Sequence, residues 1–151
     1  MGTEKKGLDP AVPHSDVTYR IIGVPMGVHN ELGPGHREEV YQRAMVNKLP
    51  EAGLVTEEQC PVEVTLEGES LLTYYLDLLV EEEVIVELKA LVHPLTNDDV
   101  AQVIDYLAAT GYPVALPLNF GRPRLEFKRI LPPRQVADHR RRQWTKPASG
   151  L

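Results

Sequence analysis

Between Tyr75 and Lys89 the chain sets two acids and a lysine among apolar residues: Leu76-Asp77-Leu78-Leu79-Val80, then Glu81-Glu82-Glu83, then Val84-Ile85-Val86-Glu87-Leu88-Lys89. The three glutamates read as a polar turn between two strands. A hairpin turning about Glu82 puts Asp77 opposite Glu87. Directly opposed residues share a face, with Cβ atoms roughly 4.5–5.5 Å apart. Strand alternation returns Lys89 to that face, two residues beyond Glu87. Carboxylates that close repel, and burial makes ionisation costlier still. A divalent cation reverses that penalty, and oxygen donors in a partly hydrated site suit Mg2+ or Mn2+. Lys89 would offset one negative charge, or hold a phosphate or a water. The competing reading is a polar hairpin face with a Glu–Lys surface pair, and spacing alone does not choose between the two.

Other residues bear on that choice. Glu38 falls in the first turn of a helix after Gly35, where a carboxylate either faces the sheet or simply favours the helix N-terminus. Gln102 and Tyr106 are four apart on a later helix and therefore neighbours on one face. They read as a stripe bordering a core face of Val100, Val103, Ile104 and Leu107. It would orient a phosphate or the lysine, or merely border solvent. His29 and His36 flank the Glu38 region and read as helix or loop histidines without a metal role. Cys60 lies in an apolar run and reads as a buried structural thiol rather than a nucleophile.

The elements that would position these groups follow from periodicity and breakers. Residues 1–15 hold Gly, Pro and charge without periodicity and read as disordered. Ile21, Val24, Val28 and Leu32 recur at helical spacing, and Pro25 inside that pattern predicts a helix that is kinked, short or split. A second helix is expected from about Gly35 to Leu49, stopped by Pro50 and Gly53. Three strands follow, near 54–66 (interrupted at Pro61), 71–80 and 84–90. Thr96, with Asp99 three residues on, opens a helix over about 96–110 that Gly111 ends. Two more strands are expected at 114–119 and 125–131. Val84-Ile85-Val86 is apolar on both faces, which predicts a central strand covered on each side. Adjacent hairpin strands make an antiparallel pairing, and the crossover helix brings a later strand alongside.

Charge constrains the partners. The net charge of −6 divides into −10 over residues 1–131, where 11 Lys/Arg face 21 Asp/Glu, and +4 over residues 132–151, where 5 basic groups face Asp138 alone. So acidic a body argues against binding phosphates through a broad basic surface. Arg122, Arg124, Lys128 and Arg129 offer a local phosphate rim or are alternating exposed strand residues. Arg140-Arg141-Arg142 lies in a basic tail, 132–151, read as a solvated and disordered terminus. No run reaches the roughly 18 apolar residues of a membrane span. No apolar segment follows Lys5 and Lys6, and a single cysteine fits a reducing compartment. A cytoplasmic protein is expected, without membrane partners, and with room for a homodimer.

Asp77, then Glu87-Leu88-Lys89, then Gln102-x-x-x-Tyr106 resembles the D…ExK…QxxxY signature of RecB-like PD-(D/E)XK nucleases. Gly35-His36-Arg37-Glu38-Glu39-Val40-Tyr41 is similar to the pattern that names the small GxxExxY proteins of that superfamily. The resemblance covers roughly residues 17–131. It implies a mixed α/β domain over residues 16–131, with a restriction-endonuclease-like αβββαβ core and a central mixed sheet flanked by helices. It implies that Asp77 and Glu87 ligate Mg2+ or Mn2+, with the Leu88 carbonyl a third ligand and Glu38 an additional acid. Lys89 would act on the attacking water or the developing charge, with Gln102 and Tyr106 as accessory residues. The implied activity is phosphodiester hydrolysis in DNA or RNA. The alternative is a catalytically silent nucleic-acid-binding or protein-interaction module on the same fold.

Overall fold

The computed structural model describes residues 15–133. The expectations for residues 1–14 and for the basic tail from residue 134 onward lie outside the described residues. The elements in chain order are α1 (Ser15–Leu32), α2 (Glu38–Glu51), β1 (Thr56–Leu66), β2 (Glu69–Val80), β3 (Val84–Lys89), α3 (Asn97–Thr110), β4 (Val114–Asn119) and β5 (Glu126–Phe127).

The strands form one sheet in the order β1-β2-β3-β4-β5. β1–β2 and β2–β3 are antiparallel hairpins, β3–β4 is parallel across α3, and β4–β5 is antiparallel. The expected mixed α/β layering is what the chain adopts. Val84, Val86, Leu88, Val114, Leu116 and Leu118 pack on one face against Ile21 and Val28 of α1 and Tyr41, Met45 and Leu49 of α2. Ile85 and Ala115 pack on the other against Val103, Tyr106 and Leu107 of α3. Residues of β3 and β4 are buried on both sides, as the unbroken apolar run required.

Several local expectations need correcting. α1 is one continuous helix of 18 residues through Pro25, neither short nor split. Tertiary packing of Ile21 and Val28 outweighs the lost donor, since most helix stability in proteins comes from such a face. α2 starts at Glu38 rather than Gly35, because Gly33 (φ 70°) and Gly35 (φ 102°) occupy the left-handed region, and it runs through Pro50 to Glu51. β1 passes Pro61 unbroken, because it is the sheet's edge strand, where a missing N–H is tolerated. The last strand is ragged. Only Glu126–Phe127 and an isolated Ala115–Ile130 bridge form the ladder. Pro117 accepts a bond from the Lys128 N–H at 3.2 Å but has no N–H to return.

α3 matches its expected boundaries. The Thr96 side chain accepts from the Asp99 N–H, the Asp99 carboxylate accepts from the Thr96 N–H, and Gly111 closes the helix at φ 78°. Its buried face is Val103, Tyr106, Leu107 and Thr110, whereas Val100 and Ile104 are only half-buried. Tyr106 therefore belongs to the core face itself rather than to a stripe beside it.

Candidate active site

The site lies where the sheet opens. The β2–β3 ladder pairs Val80 with Val84, Leu79 with Ile85 and Leu78 with Val86, then stops. The next pair in that register is Asp77 opposite Glu87. Side chains replace the ladder there: the Asp77 N–H donates to Glu87 Oε1 at 3.0 Å, and the Leu88 N–H donates to Asp77 Oδ2 at 2.8 Å. The two acids thus interlock with each other's strand instead of standing side by side on a flat face.

β2 also rolls at this point. Leu76 and Leu79 pack on the α3 side, while Leu78 and Val80 pack on the α1–α2 side. Regular alternation would have kept Leu76 with Leu78. Pairing with β1 skips Gln59, at φ 51°, between Glu58–Leu78 and Cys60–Leu76. The Asp77 carbonyl accepts instead from the Gln42 side-chain amide of α2 at 3.1 Å. On β3, the Lys89 carbonyl accepts from the Phe120 N–H on the β4 side. Backbone alternation then aims the Leu88 carbonyl the other way, toward the gap that β2 has left.

The electrostatics follow from this crowding. Glu87 is only 4 % exposed. Burial first and the Asp77 charge second push its carboxyl up to about 9, against the Asp77 N–H and Lys89, which favour the ionised form. Burial and then Asp77 also raise the Glu38 carboxyl, and Lys89 opposes them. Glu38 of α2 therefore belongs to the same electrostatic cluster. Across the fork, Lys89 Nζ donates to Gln102 Oε1 at 3.0 Å and lies 3.8 Å from Asp99 Oδ1. Gln102 Nε2 donates to the Tyr106 hydroxyl at 3.1 Å. Burial, followed by the Glu87 and Asp77 charges, pushes that phenol up to about 12.

All six side chains singled out from the sequence thus lie in one connected region: Asp77, Glu87, Lys89, Glu38, Gln102 and Tyr106. Two further residues join it. Gln42 is one helical turn beyond Glu38, so the i, i+4 spacing placed it on the same face. Asp99, legible in sequence only as half of the helix cap, also faces Lys89. Tyr41 is a structural clamp: its hydroxyl donates to the Gly33 carbonyl at 2.6 Å and its ring stacks on Phe120 with centroids 4.5 Å apart. This clamp fixes the glycine turn from which Glu38 starts its helix. His29 Nε2 donates to the Arg122 carbonyl and His36 Nε2 to the Leu32 carbonyl, so each holds backbone. Cys60 is buried.

The loop after Lys89 is held closely. Buried Asn119 accepts from the Leu91 N–H at 2.8 Å and donates to the His93 carbonyl at 3.0 Å. A Cβ on Gly121 would fall 2.4 Å from the Leu91 carbonyl oxygen. Of the four basic residues near β5, Arg124 and Lys128 are exposed, and Arg122 lies 3.9 Å from Glu126. Arg129 is neither a rim group nor an exposed strand residue. It turns inward to donate to Thr18 Oγ1, and its Nη2 is buried without a hydrogen-bond partner.

Among the described residues no group of three or more His, Cys, Asp or Glu side chains is disposed to hold a metal ion. A hard cation would have a smaller donor set here, two carboxylates and the Leu88 carbonyl, all oxygen, and would need water to complete its shell. Burial of Glu87 against Asp77 is the kind of penalty that such a cation relieves. No helix among the described residues is long and apolar enough to cross a membrane.

A five-stranded mixed sheet flanked by helices, forked where two acids and a lysine meet, defines a restriction-endonuclease-like domain. Residues 15–130 match the family model of the PD-(D/E)XK nuclease superfamily, and the chain belongs to that superfamily. No curated protein and no solved structure matches the chain.

Proposed function

We propose that this chain is a metal-dependent nuclease of the GxxExxY type, hydrolysing phosphodiester bonds in DNA or RNA. The observation that carries the reading is the interlocked Asp77–Glu87 pair at the open end of the β2–β3 ladder, with Lys89 on the adjoining strand. Asp77, Glu87 and the Leu88 carbonyl would hold Mg2+ or Mn2+, with Glu38 the additional acid. Such an ion, when bound, supplies Lewis acidity and a more acidic water. The chain's own residues do the rest. Lys89, held by Gln102 and facing Asp99, orients the attacking water and stabilises charge building on the phosphate. Gln102 passes the restraint on to Tyr106, which α3 buries against Tyr74 with ring centroids 5.1 Å apart.

A specific observation favours a second reading, a catalytically silent module. Residues 56–80 include Glu57, Glu58, Glu63, Glu67 and Glu69 and no Lys or Arg, so the ribbon beside the site repels phosphates. A cleavage panel with Mn2+ and Mg2+ over single- and double-stranded DNA and RNA separates the two. The nuclease reading predicts metal-dependent cleavage of at least one substrate that Asp77→Ala abolishes. Metal binding without cleavage of any substrate favours the silent module.

A further inference from the structure

We infer that Gln42 is a positioning residue that holds the fork open at Asp77. The inference rests on the reading of Asp77 as a metal ligand, but its evidence is the backbone. Asp77 is where both neighbours of β2 let go: the β3 ladder has ended at Leu78, and the β1 pairing skips Gln59. A strand residue released on both edges leaves an N–H and a carbonyl to be satisfied, and an unmade bond in a half-buried place is costly. Glu87 Oε1 takes the N–H at 3.0 Å, and Gln42 Nε2 takes the carbonyl at 3.1 Å. The second amide hydrogen of Gln42 goes to Glu58 Oε2 at 3.3 Å, so one side chain of α2 ties β2 and β1 together across the break.

The consequence is geometric. With its peptide fixed on the α2 side, Asp77 sends its carboxylate into the gap, where Oδ2 meets the Leu88 N–H. Gln42 also sits one turn after Glu38, so the same bond sets the distance between Glu38 and the Asp77 strand. Without it, the Asp77 carbonyl is free to turn toward β1, and the carboxylate swings away from Leu88 and Glu87. Groups that orient ligands in this way usually change metal affinity about 10–100-fold when removed.

The test is hydrogen exchange at individual amides together with Mn2+ titration, on the full chain and two variants. Gln42→Ala should speed exchange of the Asp77 and Leu88 amides by about tenfold, leave amides at the centre of β3 and β4 unchanged, and weaken Mn2+ binding at least tenfold. Gln42→Glu keeps the length but sets a carboxylate against the Asp77 carbonyl and Glu58, and should weaken Mn2+ binding at least as much. Faster exchange spread evenly over the whole sheet, or unchanged exchange at Asp77 and Leu88, overturns the inference. If the wild-type chain binds no Mn2+, the metal reading fails, and the exchange pattern alone decides whether Gln42 holds the fork.

Discussion

At the scale of single residues the most consequential group is Glu87, whose carboxyl keeps its proton up to about pH 9 because burial and Asp77 disfavour the charge. The folded state then binds a proton that the unfolded chain releases near its ordinary carboxylate value of 4.5. Its stabilising contribution is complete below that value and is lost as pH rises toward about 9. Metal-free protein should therefore melt at progressively lower temperature from about pH 5 to pH 9, and Glu87→Gln should flatten that slope. Thermal melts of both proteins across this range check it, and parallel profiles would contradict it. A cation that needs the ionised form displaces the proton, so Mn2+ affinity should rise over the same window. The opposition of Asp77 and Glu87 was legible in the sequence, because they are equidistant from Glu82 at the centre of the hairpin. Their interlocking was not. It goes with the end of the β2–β3 ladder at Leu78 and a skipped Gln59 in β1, and no residue type announces either.

At the scale of elements, α3, β3 and β4 were readable because pattern and punctuation agreed: Thr96 and Asp99 at one end of the helix, Gly111 at the other, and apolar runs on both strands. α1 runs on past Pro25, neither short nor split, because Pro25 is only a local breaker whereas buried Ile21 and Val28 anchor the helix on both sides of it. Gly23 and Gly27 sit inside the same helix, with nothing within 4 Å of where a Cβ would be. Gly23→Ala and Gly27→Ala should each stabilise the fold by about 0.5–1 kcal/mol, from helix propensity and reduced freedom of the unfolded chain. Urea denaturation measures this; a loss of stability in either variant would show that the open face of α1 is doing something packing does not reveal. The expected strand at 125–131 shrinks to Glu126–Phe127 because the defect lies not in its own residues but in its partner, at Pro117. Arg129 was misread with it, since a strand that frays no longer dictates which side chains face out.

For the molecule as a whole, the sheet order and the two-sided burial of β3 and β4 follow from hydrophobic patterning, and they deliver Lys89 to the same end of the sheet as Asp77. On the proposed nuclease reading, a metal ion would be the bridge between so acidic a body and a phosphate backbone. The same acidity makes broad non-specific duplex binding unfavourable. The claim on which the whole account turns is that Lys89 acts on the reacting groups while Asp77 and Glu87 hold the metal. The decisive measurement is single-turnover cleavage and Mn2+ titration carried out side by side on wild type, Asp77→Ala and Lys89→Ala. Asp77→Ala should lose both metal binding and cleavage, whereas Lys89→Ala should keep Mn2+ affinity within about threefold and lose cleavage by at least the roughly 10²-fold typical of one positioned catalytic group. A folded Lys89→Ala protein that cleaves as fast as wild type would contradict it.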